Sequence, residues 1–160
     1  MTRLTHVNSR GAARMVDVGQ KSDTKREAVA RGKVIMKPTT LEQVRTARFE
    51  KGDVLAVARV AGIMAAKKTP LLIPLCHPLL INNIVIEFDL AGDGFIEITA
   101  RVKSTGKTGM EMEALVATSV TALTIYDMCK SADREMTITE IHLESKKGGK
   151  SGSYQRKGGE

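Results

Sequence analysis

Ile84, Ile86, Phe88 and Leu90 alternate with Val85, Glu87 and Asp89, and the alternation resumes at Ile96, Ile98, Ala100 and Val102 after the break Ala91-Gly92-Asp93-Gly94. A period of two places each apolar set on one side of a strand, and a glycine-rich break joins two such strands into an antiparallel hairpin. A hairpin with one apolar face is not stable alone, so the rest of the chain has to supply further strands and a layer that covers that face.

The covering layer reads as helices. Met112, Leu115, Val116, Ser119, Val120, Leu123 and Tyr126 recur at helical spacing and predict a long helix from Met110 to Ser131. From Asp53 to Lys67, Ala, Val, Leu, Ile and Met dominate every face, which predicts a buried helix opened by an acidic residue and closed by Lys67-Lys68 and Pro70. A shorter helix is expected up to Arg48, started by overlapping capping boxes in Thr39-Thr40-Leu41-Glu42-Gln43 and stopped before Gly52. Strands are expected from Arg26 to Lys37 and from Met136 to Ser145, the latter bulged near Glu140 because its inward parity changes between Ile138 and Ile141. The order β-α-α-β-β-α-β implies an α+β sandwich of ferredoxin-like type, an antiparallel sheet covered by helices on one face. With 160 residues the chain is expected to form one domain, 1–160, flexible over 1–24 and 150–160.

The net charge of +7 is uneven: residues 1–33 contribute +5 and residues 146–160 contribute +4, leaving a body of −2. A near-neutral body with basic ends describes either solvated tails or segments that close over an anion. Hydrophobic content of 42% and charged content of 27% are those of a soluble globular protein. No apolar run reaches the roughly 18–20 residues of a membrane span. Met1-Thr2-Arg3-Leu4-Thr5-His6 has no apolar signal core, so a cytoplasmic location is expected, with Cys76 and Cys129 as reduced thiols.

In the run Leu72-Ile73-Pro74-Leu75-Cys76-His77-Pro78-Leu79-Leu80-Ile81 a thiol and an imidazole stand between two prolines in otherwise apolar sequence. Each proline fixes its own φ and drives the residue before it toward extended geometry, so the run is expected to be non-helical, with Ile73 and His77 extended. His77 then serves either as a ligand-binding group that changes charge near neutral pH or as a half-buried side chain satisfied by a backbone carbonyl. Cys76 and His77 do not read as a nucleophile and its base, because neighbours on an extended segment point to opposite sides.

Gly149-Lys150-Ser151 and Gly106-Lys107-Thr108 look like the end of a P-loop, but Glu144 and Arg101 stand where that motif needs its first glycine. The segment Gly148-Gly149-Lys150-Ser151-Gly152 retains the means to wrap an anion with backbone amides. Three histidines and no second cysteine at zinc spacing argue against a metal site. Asp127 and Lys130 are three residues apart on the long helix and share a face. They form either an exposed ion pair or, with Lys51, a cluster able to relay protons. Glu111, Met112 and Glu113 open the same helix, where the dipole favours carboxylates. Glu113 and Asp127 fall within ~40° of one face but about 21 Å apart along the axis. If both ends carry function, a site shared between subunits is the simplest arrangement.

At these residues the chain resembles a known family nearly end to end. The resemblance rests on Leu4-Thr5-His6, Met15-Val16-Asp17-Val18, Thr24-Lys25-Arg26-Glu27-Ala28, Lys51-Gly52-Asp53-Val54 and Ile73-Pro74-Leu75-Cys76-His77-Pro78. It continues through Thr105-Gly106-Lys107-Thr108-Gly109, Glu111-Met112-Glu113-Ala114-Leu115, Leu123-Thr124-Ile125-Tyr126-Asp127-Met128-Cys129-Lys130 and the closing Lys146-Lys147-Gly148-Gly149-Lys150-Ser151-Gly152. So many blocks in the same order resemble the MoaC family of molybdenum cofactor biosynthesis.

That resemblance implies a ferredoxin-like subunit in a homohexamer, a trimer of dimers, with active sites at subunit interfaces. It implies a lyase, a cyclic pyranopterin monophosphate synthase that converts 3′,8-cyclo-7,8-dihydro-GTP to cyclic pyranopterin monophosphate and diphosphate. Asp127 is implied as the principal acid/base, with Lys130 and Lys51 beside it and His77 as a further participant. Leu75, Cys76, His77, Met112 and Glu113 match substrate-contacting segments, with Glu113 suited to the guanine-derived N–H edge. Arg26, Lys51, Lys67, Lys130 and Lys146 are suited to the triphosphate, where cations offset charge on the leaving group, and Asp17 joins the substrate-binding set. No cofactor is required and no metal ligand is implied; Mg²⁺ accompanying the triphosphate or diphosphate stays open.

Two other classes compete. Ferredoxin-like sheets with basic termini are common among RNA binders, but three Phe, two Tyr and no Trp leave the strands without exposed stacking aromatics, so neither nucleic acid nor membrane is expected as a partner. A purely structural oligomer leaves His77 and Asp127 without a role.

Overall fold

The computed structural model describes residues 10–157; the first nine residues of the expected N-terminal loop and residues 158–160 of the expected flexible tail lie outside the described residues. The strands are β1 (Thr24–Ile35), β2 (Ile81–Asp89), β3 (Phe95–Gly106), β4 (Thr137–Lys147) and β5 (Tyr154–Gln155). They form one antiparallel sheet in the order β2-β3-β1-β4-β5. The helices are α1 (Pro38–Arg45), α2 (Val54–Lys67), the single turn α3 (Thr69–Leu72) and α4 (Glu111–Cys129). They pack on one side of the sheet, which is the α+β, ferredoxin-like sandwich that the sequence predicts.

The predicted hairpin is β2–β3, with Ile84, Ile86 and Phe88 opposite Val102, Ala100 and Ile98. Its inward face joins Val34 of β1 to Ala58 and Ala66 of α2 and to Ala117, Ala122 and Ile125 of α4 in one core. Gly62 brings α2 close to α4. A Cβ there would overlap Thr121 Oγ1 and lie 2.6 Å from Ile86 Cδ1 and 3.0 Å from the Ala117 carbonyl oxygen. The predicted bulge in β4 is present: Arg31 pairs with His142 and Lys33 with Thr139, and Glu140 takes a left-handed φ of 55°.

Three expectations need correction. The helix expected through Arg48 ends at Arg45, and no threonine caps it. Pro38 sits in its first turn with Lys37 as N-cap, because a proline's fixed φ suits a helix start; this draws Thr39 and Thr40 inside. The cap comes from the far side of the chain: Asp133 Oδ2 accepts the Lys37 N–H at 2.8 Å and the Thr40 hydroxyl at 3.4 Å, while Oδ1 accepts the Glu135 N–H at 3.1 Å. Second, α2 is not buried on every face; Val57, Val60 and Met64 are 43–56% exposed, and Leu71 and Leu72 extend that apolar surface. Third, Leu72 ends the helical turn α3, so the non-helical run begins at Ile73, extended at φ −113° and ψ 106° as the proline after it demands.

The two-residue strand β5 is an element that the sequence does not predict. Among the described residues no helix is long and apolar enough to cross a membrane.

Candidate functional site

The first residues of β1 lie against the end of β3, with Thr24 opposite Gly106. Arg26 therefore reaches across the strand end, donating from Nε to the Gly106 carbonyl at 2.9 Å and from Nη2 to the Lys107 carbonyl at 3.2 Å. Lys107 Nζ donates to the Gly19 carbonyl at 2.8 Å and ties down the segment before β1. On the other side β4 ends in Lys146, which donates to Glu111 Oε1 at 2.8 Å and to Ser151 Oγ at 3.2 Å. Gly148 and Gly149 turn there at φ 96° and 81°, and the Arg26 guanidinium occupies the space of a Cβ on Gly149. The result is a cleft of about 750 Å³ lined by Lys21, Arg26, Lys107, Lys146 and Lys150, with Glu111 as the acidic residue among them.

A second cleft of about 410 Å³ continues from the first, sharing Lys21, Thr108, Gly109 and Glu111 with it. Leu75, Cys76, His77, Met112 and Glu113 line it. The Glu113 side chain is buried, and burial pushes its carboxyl above the ordinary carboxylate range, with the charge of Glu111 adding to the effect against a backbone hydrogen bond. Burial likewise pushes the Cys76 thiol up, with a further push from Glu113. His77 Nε2 lies 2.7 Å from the Val16 carbonyl oxygen. A carbonyl only accepts, so Nε2 carries the proton and Nδ1 is left for a ligand. The structure shows the second of the two readings of His77, a side chain satisfied by a backbone carbonyl, and places it at the border of this cleft. The Cys76 N–H closes a turn on the Ile73 carbonyl, and Cys76 and His77 both border the same cleft.

At the other end of α4, Asp127 Oδ1 lies 2.8 Å from Lys130 Nζ, and Oδ2 lies 3.5 Å from Lys51 Nζ. Lys51 also donates to the Asp127 main-chain carbonyl at 3.0 Å. It arrives from the α1–α2 connection, which turns at Gly52 with φ 91° before Asp53 caps α2 by accepting the Ala56 N–H at 3.0 Å. The hydrogen bond from Lys130, then its charge and that of Lys51, hold the Asp127 carboxyl below the ordinary range. The same bond raises Lys130. At neutral pH the cluster therefore offers a carboxylate base beside an ammonium acid. Beneath it, burial pushes the Cys129 thiol up to about 11, which leaves it an inert core group.

One chain does not unite these parts. Glu113 and Asp127 belong to the same helix, α4, and fourteen residues of helical rise separate them by about 21 Å along its axis. Lys67 ends α2 and Asp17 Oδ1 accepts the Gly19 N–H at 2.8 Å; neither lines either cleft. Lys107 and Lys150 enter the site from the two glycine-lysine segments noted in the sequence, whereas nothing in the sequence marks Lys21. The segments around Gly106 and Gly149 converge because β1 pairs with both β3 and β4, and Lys21 joins them from the stretch before β1. Among the described residues no three His, Cys, Asp or Glu side chains cluster as metal ligands.

The model of the MoaC family matches residues 15–149 of the chain. A cyclic pyranopterin monophosphate synthase of Pelotomaculum thermopropionicum is 58% identical, over 100% of this chain and 95% of its own length. Proteins of the same description from Heliobacterium modesticaldum and Brevibacillus brevis are 59% and 58% identical, covering 98% and 96% of this chain and 99% and 96% of their own lengths.

Proposed function

The chain belongs to the MoaC family, and from that premise we propose that it is a cyclic pyranopterin monophosphate synthase of molybdenum cofactor biosynthesis, converting 3′,8-cyclo-7,8-dihydro-GTP to cyclic pyranopterin monophosphate with release of diphosphate. The observation that carries the reading is the junction of a strongly cationic cleft with a smaller one that contains a buried carboxyl. Lys21, Arg26, Lys107 and Lys146 take the triphosphate and offset the charge that grows on the departing diphosphate. Glu113 faces the guanine-derived N–H edge, with Leu75, Cys76 and Met112 around the ring. His77 exchanges protons through Nδ1, while Asp127, Lys130 and Lys51 carry the principal proton transfers of ring opening and reclosure. Lys67 and Asp17 complete the substrate-binding set from outside these two clefts.

The assembly in this reading is a homohexamer, a trimer of dimers, in which the Asp127 cluster of one subunit completes the clefts of another. The distance along α4 supports it, as does the apolar surface of Val57, Val60, Met64, Leu71, Leu72 and Leu123, which a single chain leaves exposed. The enzyme works in the cytoplasm on a small nucleotide-derived substrate, without nucleic acid or membrane. It needs no resident cofactor, and Mg²⁺ enters only with the phosphates.

The test is a coupled assay in which the cyclic dihydro-GTP is generated and this protein is added. Diphosphate and the fluorescent oxidised pterin appear together, and both disappear in Lys51→Ala and Asp127→Ala. A folded oligomer that binds the intermediate and yields neither product would overturn the reading.

A further inference from the structure

Glu111 is out of character with its surroundings. It is the acidic residue in a cleft that five basic residues line, and an anion entering that cleft meets its negative charge. Three observations say what it does there. Its Oε1 takes the Lys146 ammonium at 2.8 Å, with both side chains about one quarter exposed, so the pair is shielded yet within reach of a solute. Lys146 Nζ also donates to Ser151 Oγ at 3.2 Å, so the same ammonium steadies the Gly148–Gly152 turn at the rim. Glycine at 109 leaves open the space that the Glu111 carboxylate fills, and Glu111 borders both clefts. The carboxylate thus stands where an anionic ligand has to pass.

We propose that Glu111 is a resident counter-anion of the phosphate cleft: it occupies Lys146 when the cleft is empty, yields it to an incoming polyphosphate, and reclaims it as diphosphate leaves. This rests on the reading of the cationic cleft as the phosphate subsite. An ammonium already paired with a carboxylate gives up one charge-assisted bond to gain another, so the net gain on binding is the difference of the two. A ligand with several phosphates, joined to a ring held in the second cleft, overcomes that competition. Free diphosphate has only its own charges and is held more weakly. Glu111 thereby sets selectivity for the whole substrate over the inorganic product and speeds product release.

The probe is inorganic diphosphate, titrated by calorimetry into the full chain without turnover. Glu111→Gln tightens diphosphate about tenfold, the effect of freeing one charge-assisted partner. Glu111→Asp, which keeps the charge but retracts it, gives a smaller gain, and melting temperatures confirm that each variant is folded. In a Lys146→Gln background the gain from Glu111→Gln shrinks to about twofold, since the competition has lost its object. Unchanged or weaker diphosphate binding by Glu111→Gln, or an undiminished gain without Lys146, would overturn the proposal. Because this readout needs no substrate, a chain that behaves as expected here yet fails the synthase assay would refute the proposed function and leave the role of Glu111 standing.

Discussion

Lys51 holds Asp127 at two points, donating to its main-chain carbonyl at 3.0 Å and lying 3.5 Å from its carboxylate, so the loop between α1 and α2 is fastened to the last turn of α4. Asp127→Asn keeps the bond from Lys51 to the main-chain carbonyl but removes the base. Substrate binding is retained and turnover falls by at least about 100-fold, the contribution of one positioned acid/base group. Equilibrium binding and single-turnover rates check this; full activity would remove Asp127 from the chemistry.

The pH profile follows from the same cluster. Lys130 and Lys51 hold the Asp127 carboxyl below the ordinary range, so Asp127 stays ionised as pH falls through that range and protonates only below it. Its limb in kcat/KM therefore lies on the acid side of an ordinary carboxylate. Lys130→Met moves that limb upward in pH as well as lowering the rate, whereas a variant that only loosened the fold would lower the rate and leave the limb in place.

If α4 serves one reaction centre with Glu113 and another with Asp127, two dead variants repair each other. Glu113→Ala and Asp127→Ala chains, mixed in equal amounts and reassembled, regain about one quarter of wild-type activity, the share of sites that draw an intact half from each parent. Mixed assemblies as inactive as their parents would place the whole site within one subunit.

Asp133 is buried and accepts the Lys37 N–H, which is the main cause of a carboxyl pKa below the ordinary value. A depressed folded-state pKa contributes stability that is complete above the unfolded carboxylate pKa and is lost as pH falls through the folded one. Asp133→Asn therefore costs about 2 kcal/mol near neutrality. The gap from wild type closes as pH falls below the ordinary carboxylate range and through the lowered folded-state pKa, and denaturant titrations over that range measure it. A gap independent of pH would refute the ionic account of this cap.

Gly62→Ala destabilises the fold by about 1–3 kcal/mol, because its new methyl group meets α4 at Thr121 Oγ1. Thr121→Ala deletes that oxygen, which is buried and has no hydrogen-bond partner among the described residues. The double variant thus recovers part of the loss, and thermal melts of the three proteins show whether the costs are non-additive.

Features written in short stretches of sequence were legible there. The β2–β3 hairpin, the α4 period and the parity change at Glu140 each declare themselves within about twenty residues, and Asp127 with Lys130 needs only helical geometry. The α1 cap did not, because its carboxylate stands 96 residues from the N–H it accepts. Tyr154 and Gln155 are too few to carry a period, and their strand depends on the β4 edge. The composition of α2 suggests full burial, since apolar residues that the fold leaves exposed look the same in sequence as those it covers. That Lys21, Lys107 and Lys150 share one cleft is illegible for a related reason: their meeting is a property of strand pairing.

The helix α4 is also a gauge. Because each residue turns an α-helix by about 100° and advances it by about 1.5 Å, the fourteen steps from Glu113 to Asp127 set a phase as well as a length. Deleting a single residue between them would shorten the rod by little and swing one carboxylate a quarter of a circle or more away from the other. The spacing therefore tolerates changes of residue type along the rod far better than changes of residue number, and an in-frame loss of one codon there would be felt at both ends of the helix at once.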